Sequence, residues 1–357
     1  MTGLVVIGLA SSLLMGWAAL FIVRPVLGQV VPWPALVGTA LATVVTTTVG
    51  SLLEVGTLDY FIGVSLGTLP VLVFLLATAD GSGADTIARW TLVLAWAVVL
   101  FPAAVIVPPL ISSRCTALEC TIEDFGGALA LLISSGALAL LAWLPAGVAP
   151  GRELERGTWK SLGAPVLLLW LGFVVWVAHL EGAIDDYIPR IVVAAVLAPI
   201  AGAVGWLAVD ALRATGQHPG RSLAFGLLTG IVAIVPGAVT VSFPWSLVVG
   251  GLAGAVGALV HGARSVAAAG VATRWAVTIL VATAIGYFAP PVSGDTVGLL
   301  FSARIGGLLP PATAFVAVAL FSLLASAPLW ILLRRHASRT RKAAREGTRW
   351  AIPDSNR

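Results

Sequence analysis

Apolar runs of about twenty residues recur along the whole chain between short charged connectors, each long enough to cross a hydrocarbon core of about 30 Å. Eleven are counted: residues 2 to 23, 31 to 53, 58 to 79, 90 to 110, 124 to 146, 161 to 180, 190 to 210, 222 to 240, 243 to 262, 266 to 289 and 308 to 333. The stretch Ser222 to Val260 is too long for one helix, and the cluster Pro236, Gly237 and Pro244 divides it. With 59% hydrophobic and only 10% charged residues, no water-soluble fold of 357 residues keeps so much apolar surface dry. The chain is read as an all-α integral membrane protein.

Lys and Arg set an expected orientation. With the N-terminus outside, the inner connectors carry eight basic residues, from Arg24 and Arg89 to Arg221 and Arg264, and the tail carries seven more from Arg334 to Arg349. The outer connectors hold only Arg114, Arg190 and Arg304. The chain therefore divides into a transmembrane domain, residues 1–333, and a basic cytoplasmic tail, residues 334–357, expected to be partly disordered. Residues 1 to 23 lack a basic leader and are expected to stay as a helix. The net charge of +4 comes mostly from the tail and points to topology and anionic lipid rather than nucleic acid.

No nucleophile with a base, phosphate loop or metal-ligand spacing is present, so the reading is not an enzyme and needs no cofactor or metal. The four histidines are too dispersed for a metal site, and His218 and His261 are expected at the inner face. Cys115 and Cys120 share one predicted outer loop, where an oxidising exterior permits a bridge and an open pair equally. Small residues in "GLLTGIVAIVPGAV" and "VVGGLAGAVGALV" predict close helix packing.

The order of motifs resembles one family. "EDFGGALALLISSG", "LLLWLGFVVWVAHL" and "GQHPGRSLAFGLLTGIVAIVPGAVTVSFPWSLVVGGLAGAV" resemble the fifth, sixth and eighth-to-ninth helices of the ammonium transporter and Rhesus family. "SSLLMGWAALFIVRP" resembles its first helix, and "LDYFIGVSLGTLPVLVFLLATAD" with "LAWAVVLFPAAVI" resembles its third and fourth. The resemblance implies two inverted five-helix repeats around a narrow pore, an eleventh helix and a homotrimer with one pore per subunit. Pro70 and Pro236 hint at the repeat, in corresponding third and eighth helices. It also implies ammonium or ammonia as solute, nitrogen uptake across a plasma membrane, and a cytoplasmic signalling partner of the PII type at the inner face.

Site residues follow from the same resemblance, one by one. Asp124 matches the acidic residue at the outer start of the fifth helix, where a carboxylate also serves as an N-cap. The pore histidine eight residues on is Leu132 here, and its partner on the tenth helix is Arg274, so the histidine pair is absent. The gate phenylalanines become Ser65 and Trp176, the recruiting serine becomes Leu180, and the gate tryptophan falls near Pro108. A bare ammonium ion leaves water only where aromatic faces, hydroxyls or carbonyls replace its hydration shell, and Trp176 is the aromatic retained, with Tyr60 and Phe61 nearby.

Three readings of Arg274 stand: a pore-facing charge that opposes cations, a side chain snorkelling to inner headgroups, or a member of a buried ion pair. His179, Glu181, Asp185 and Asp186 form either a solvated loop or an acidic vestibule. The sequence thus leads to a small-solute channel with a divergent pore. A pore for another neutral molecule or an anion, and a non-conducting sensor, are the alternatives.

Overall fold

The computed structural model describes residues 2–27, 33–81, 86–113, 122–143, 159–214, 216–268, 271–295 and 298–350. Among the described residues, the only pairing of strand type is an isolated bridge between Val241 and Gly294. The first two rods are α1 (Thr2–Leu27) and α2 (Trp33–Leu52). The third is broken at Gly67 into α3 (Leu58–Leu66) and α4 (Thr68–Gly81). Pro70 explains the break, since it has no N–H for the carbonyl of Leu66 four residues back, and Ser12 Oγ of α1 donates to that carbonyl instead.

The fourth rod is α5 (Thr86–Ala95), a π-helical turn over Trp96–Leu100, and α6 (Phe101–Ser113). Phe101 N–H reaches back to the carbonyl of Trp96, and Pro102, which follows, has no N–H to restore the tighter ladder. A second π turn, Leu129–Ile133, opens the fifth rod and runs into α7 (Ser134–Trp143). Trp96 Nε1 in the first π turn donates at 2.9 Å to Oγ of Ser134, the first residue of α7 after the second.

The remaining rods are α8 (Trp159–His179), α9 (Tyr187–Leu212), α10 (Pro219–Ile234) and α11 (Phe243–His261). After the short α12 (Arg264–Ala268) come α13 (Val271–Tyr287), α14 (Ala289–Ser293), α15 (Leu299–Ser302) and α16 (Leu309–Trp350). Nine described helical segments are long and apolar enough to cross a membrane, and Leu129–Ala139 and Pro219–Ile234 are shorter apolar helices, which together match the eleven runs of the sequence.

Three boundaries differ from the sequence reading. The fifth rod becomes helical at Ala128, leaving Asp124 to Gly127 as an irregular entrance. The helix of the eighth ends at Ile234, so Pro236 lies in the following turn while Pro70 lies inside α4, and the two prolines do not correspond. The tail expected to be partly disordered continues α16 as helix to Trp350, as its Arg, Lys and Ala content favours, with no proline before Pro353.

Packing follows an inverted repeat. The first rod packs on the third as the sixth packs on the eighth, and the second packs on the fourth as the seventh packs on the ninth. The halves meet where α1 lies on α8 and where α7 lies on α13, and α16 covers α6 and α7. In the second half the backbones themselves touch. A Cβ on Gly254 of α11 would lie 2.0 Å from the carbonyl oxygen of Gly202 on α9, and one on Gly230 of α10 would lie 2.5 Å from that of Ala198. Glycine there lets three helices approach at van der Waals distance where apolar lipid supplies no hydrophobic drive.

Candidate functional site

Asp124 closes the start of the fifth rod. Its Oδ1 accepts from the Ala128 N–H at 2.6 Å and its Oδ2 from the Leu129 N–H at 3.0 Å, which satisfies two of the donors that a helix start leaves over. The carboxylate is 6% exposed. The strand of chain around it is stitched to the turn after α10, with Phe125 N–H on the carbonyl of Pro236 and Gly126 N–H on that of Val235. Gly127 holds φ at +66°, a conformation that needs glycine, and the Val64 side chain presses where a Cβ would be. Tyr60 Oη of α3 donates to the backbone carbonyl of Asp124 at 3.4 Å.

Next to this cap, Trp176 of α8, Leu180 just after α8 and Leu131 of the second π turn press onto α3 and the break at Gly67. Trp176 is 2% exposed, donates from Nε1 to the Gly63 carbonyl at 3.0 Å, and lays its ring where a Cβ of Gly67 would be. Leu131 shares that contact with Gly67, and Leu180 occupies the corresponding place over Gly63. Ser65 lies between these glycines, fully buried, its hydroxyl without a hydrogen-bond partner. So the structure gathers Asp124, Ser65, Trp176 and Leu180 at one end. Leu132 sits inside the π turn, partly buried and packed on the core, and Pro108 is buried within α6.

Acidic groups ring the same end without forming one cluster. His179 ends α8 packed on Gly8 of α1, its Nδ1 buried without a partner. Glu181 has its carboxyl raised by burial and by the Asp185 charge, while Asp185 Oδ1 accepts from Tyr187 N–H. Asp186 precedes α9 with no capping bond of its own. Sequence reasoning missed the strongest pair here, Arg190 to Asp295 at 2.5 Å, in which the same guanidinium nitrogen also holds the Thr240 carbonyl. The two partners are 105 residues apart, so no local pattern announces them.

Glu123 stands beside Asp124, and burial raises its carboxyl from the ordinary value of 4.5 against a hydrogen bond with Thr240 and the attraction of Arg190. A raised folded-state value means that the proton is bound more tightly in the folded protein. The stability this group contributes is complete below pH 4.5 and is lost as pH rises through the folded value. Glu123→Gln is therefore expected to raise the melting temperature at neutral pH and leave it unchanged below pH 4.5, as thermal unfolding at the two pH values reads directly.

Arg274 lies at the other end, in the first turn of α13, where its carbonyl accepts from Thr278 Oγ1 at 2.7 Å. Its charge and that of Arg221 on α10 both bear on His261, which ends α11. His218 caps α10, its Nδ1 accepting from Gly220 N–H, and Asp210 accepts from Ser222 Oγ. An aromatic cluster missed from the sequence fills this end: Trp206, Phe225, His261 and Trp275, each from a different helix. Among the described residues no His, Cys, Asp or Glu group suits a metal, and Cys115 and Cys120 lie outside them.

The Ammonium Transporter Family model matches residues 82–287, more than half of the chain. The chain belongs to the ammonium transporter family. No curated protein matches it. Among solved structures, Saccharomyces cerevisiae Mep2 superposes at a TM-score of 0.71 with 14% identity, covering 92% of this chain and 86% of that one. A structure described as "Sensor Amt Protein" gives 0.72 with 15% identity over 93% and 92%, and Candida albicans Mep2 gives 0.67 with 16% over 94% and 85%. At such identities these likenesses establish the family fold and no substrate. The protein is a multi-pass membrane transporter of that family.

Proposed function

We propose that the protein passes ammonium or ammonia across a plasma membrane as a homotrimer, with its N-terminus outside and a path through each subunit. The observation that carries this reading is the capped entrance, Asp124 with Tyr60 on its carbonyl and Trp176 alongside, of which Asp124 and Trp176 lie within the stretch that the family model matches. In the reading, the Asp124 end is the outer mouth and Glu181, Asp185 and Asp186 enrich cations before it. The centre of the path is hydrocarbon at Leu132, and Arg274 disfavours a bare cation near the inner end. Neutral ammonia, or another small neutral molecule, suits that path better than the ion, and an anion is the further alternative. No step needs a catalytic group or a cofactor. The basic helix beyond residue 333 fits anionic lipid and a cytoplasmic PII-type partner.

A second reading, a non-conducting sensor, is favoured by one observation: Trp176 and Leu131 both press onto Gly67 and leave the mouth closely packed. Uptake of ammonium or methylammonium by proteoliposomes separates the two. Flux above empty vesicles, increased in Arg274→Ala and Arg274→His, is expected. Absence of flux in all three overturns transport and leaves the sensor.

A further inference from the structure

Arg190 is one of the three basic residues that the expected orientation places outside, against the charge rule, and the family resemblance gives it no role. The structure gives it one. It stands in the first turn of α9, and its Nη2 donates to the Thr240 carbonyl at 2.7 Å and to Asp295 Oδ2 at 2.5 Å. Asp295 N–H shares the Thr240 carbonyl at 3.3 Å, and the next residue on each side, Val241 and Gly294, forms the isolated bridge. α9 and the segment after α14 thus grip one end of the turn that follows α10, with charge-assisted bonds among those that hold it.

The other end of that turn carries the segment around Asp124. Phe125 N–H donates to the Pro236 carbonyl at 3.0 Å, and Gly126 N–H donates to that of Val235 at 3.1 Å. Between its two ends the turn braces itself. The Gly237 carbonyl accepts from Thr240 N–H at 3.2 Å and from Val241 N–H at 2.9 Å, while Gly237 N–H closes on the Ile234 carbonyl at 3.1 Å. A Cβ on Gly237 would lie 2.7 Å from the Val241 side chain and 3.1 Å from that of Pro290, so the turn is packed as well as bonded. A displacement at Thr240 is therefore passed to Pro236, and from there to the residues that lead into the cap. The Arg190 charge also bears on Glu123, the neighbour of Asp124 in that segment.

We propose that Arg190 is a positioning residue of the mouth: through Thr240 and Asp295 it fixes the 235–241 turn, and through that turn the segment that carries the Asp124 carboxylate. The inference rests on reading the Asp124 end as the mouth, yet the coupling it asserts joins residues of the protein and exists with or without flux. Both bonds converge on one nitrogen, so the single ammonium of a lysine, with three hydrogens, has the donors to make both.

Hydrogen–deuterium exchange of the full-length protein in lipid discs, read on peptides spanning residues 122–129, tests this. In Arg190→Met, which keeps an apolar stem and removes every donor, exchange at Phe125 and Gly126 is expected to quicken about tenfold while peptides from α11 and α13 keep the parent's rate. Arg190→Lys is expected to return to within about threefold of the parent, and Asp295→Asn, which leaves the Thr240 bond in place, to fall between. Parent-like exchange over 122–129 in Arg190→Met overturns the proposal, because the turn then holds without the clamp. Equal acceleration in every helix overturns it too, because the pair then supports the bundle and not the mouth, and so does a lysine variant as fast as the methionine one. Since uptake is not the readout, a parent that carries no ammonium would sink the proposed transport and leave this coupling standing.

Discussion

Asp124→Ala is expected to destabilise the protein by about 3 kcal/mol, the sum of two buried N–H groups each left unpaired at about 1–3 kcal/mol less what relaxation recovers. The carboxylate accepts from Ala128 and Leu129 with one oxygen each, and both bonds are buried. Water does not replace it readily, because Asp124 is enclosed by the turn that gives Phe125 and Gly126 their acceptors. Asp124→Asn keeps an acceptor for Ala128 but turns an N–H₂ toward the Leu129 donor, so it is expected to restore less than half of the loss. Denaturant or thermal unfolding in lipid discs ranks the three proteins: parent, then Asn, then Ala. An Ala variant melting with the parent would show that the cap is dispensable, and with it the physical reason for a carboxylate at this membrane edge.

The uncharged runs made the rods legible, because hydrocarbon thickness sets their length whatever the packing is. What they could not display is where a rod departs from the α ladder. The π turn over Leu129–Ile133 reads as plain apolar helix in sequence, yet it widens the backbone at Leu132, where the resemblance puts a pore histidine. Pro102 beside the first π turn was the available signal, and the second turn has none. Likewise the cap was legible, since Asp before a helix with glycines after it is a local pattern. The cluster of Trp206, Phe225, His261 and Trp275 was not, because its members come from four helices and meet only once α9, α10, α11 and α13 are packed. Arg274 shows the intermediate case. Its position in the helix was countable, but its neighbours, Thr278 and the histidine that its charge reaches, depend on tertiary packing.

Trp176→Ala is expected to increase passage of a small neutral solute by on the order of tenfold, equivalent to lowering the barrier by about 1.4 kcal/mol. The ring fills the place where Gly67 would carry a Cβ, beside Leu131, and Nε1 ties it to the Gly63 carbonyl, so in the proposed path it is a plug held by both shape and a hydrogen bond. Truncation removes both. It also leaves a cavity where a 2% exposed tryptophan stood, so the same variant is expected to melt earlier, by about 3–5 kcal/mol of lost stability. Trp176→Phe separates the two effects: it keeps most of the ring, loses the bond to Gly63, and is expected to conduct within about twofold of the parent, far less than one decade of rate. Stopped-flow alkalinisation of proteoliposomes on an ammonia gradient gives all three rates. Equal rates for Ala, Phe and parent would mean that the barrier lies elsewhere, and the hydrocarbon at Leu132 would be the next residue to shorten. A rise in Ala alone would place the barrier at the mouth and make the close packing on Gly67 the feature that separates a sensor from a channel in this chain.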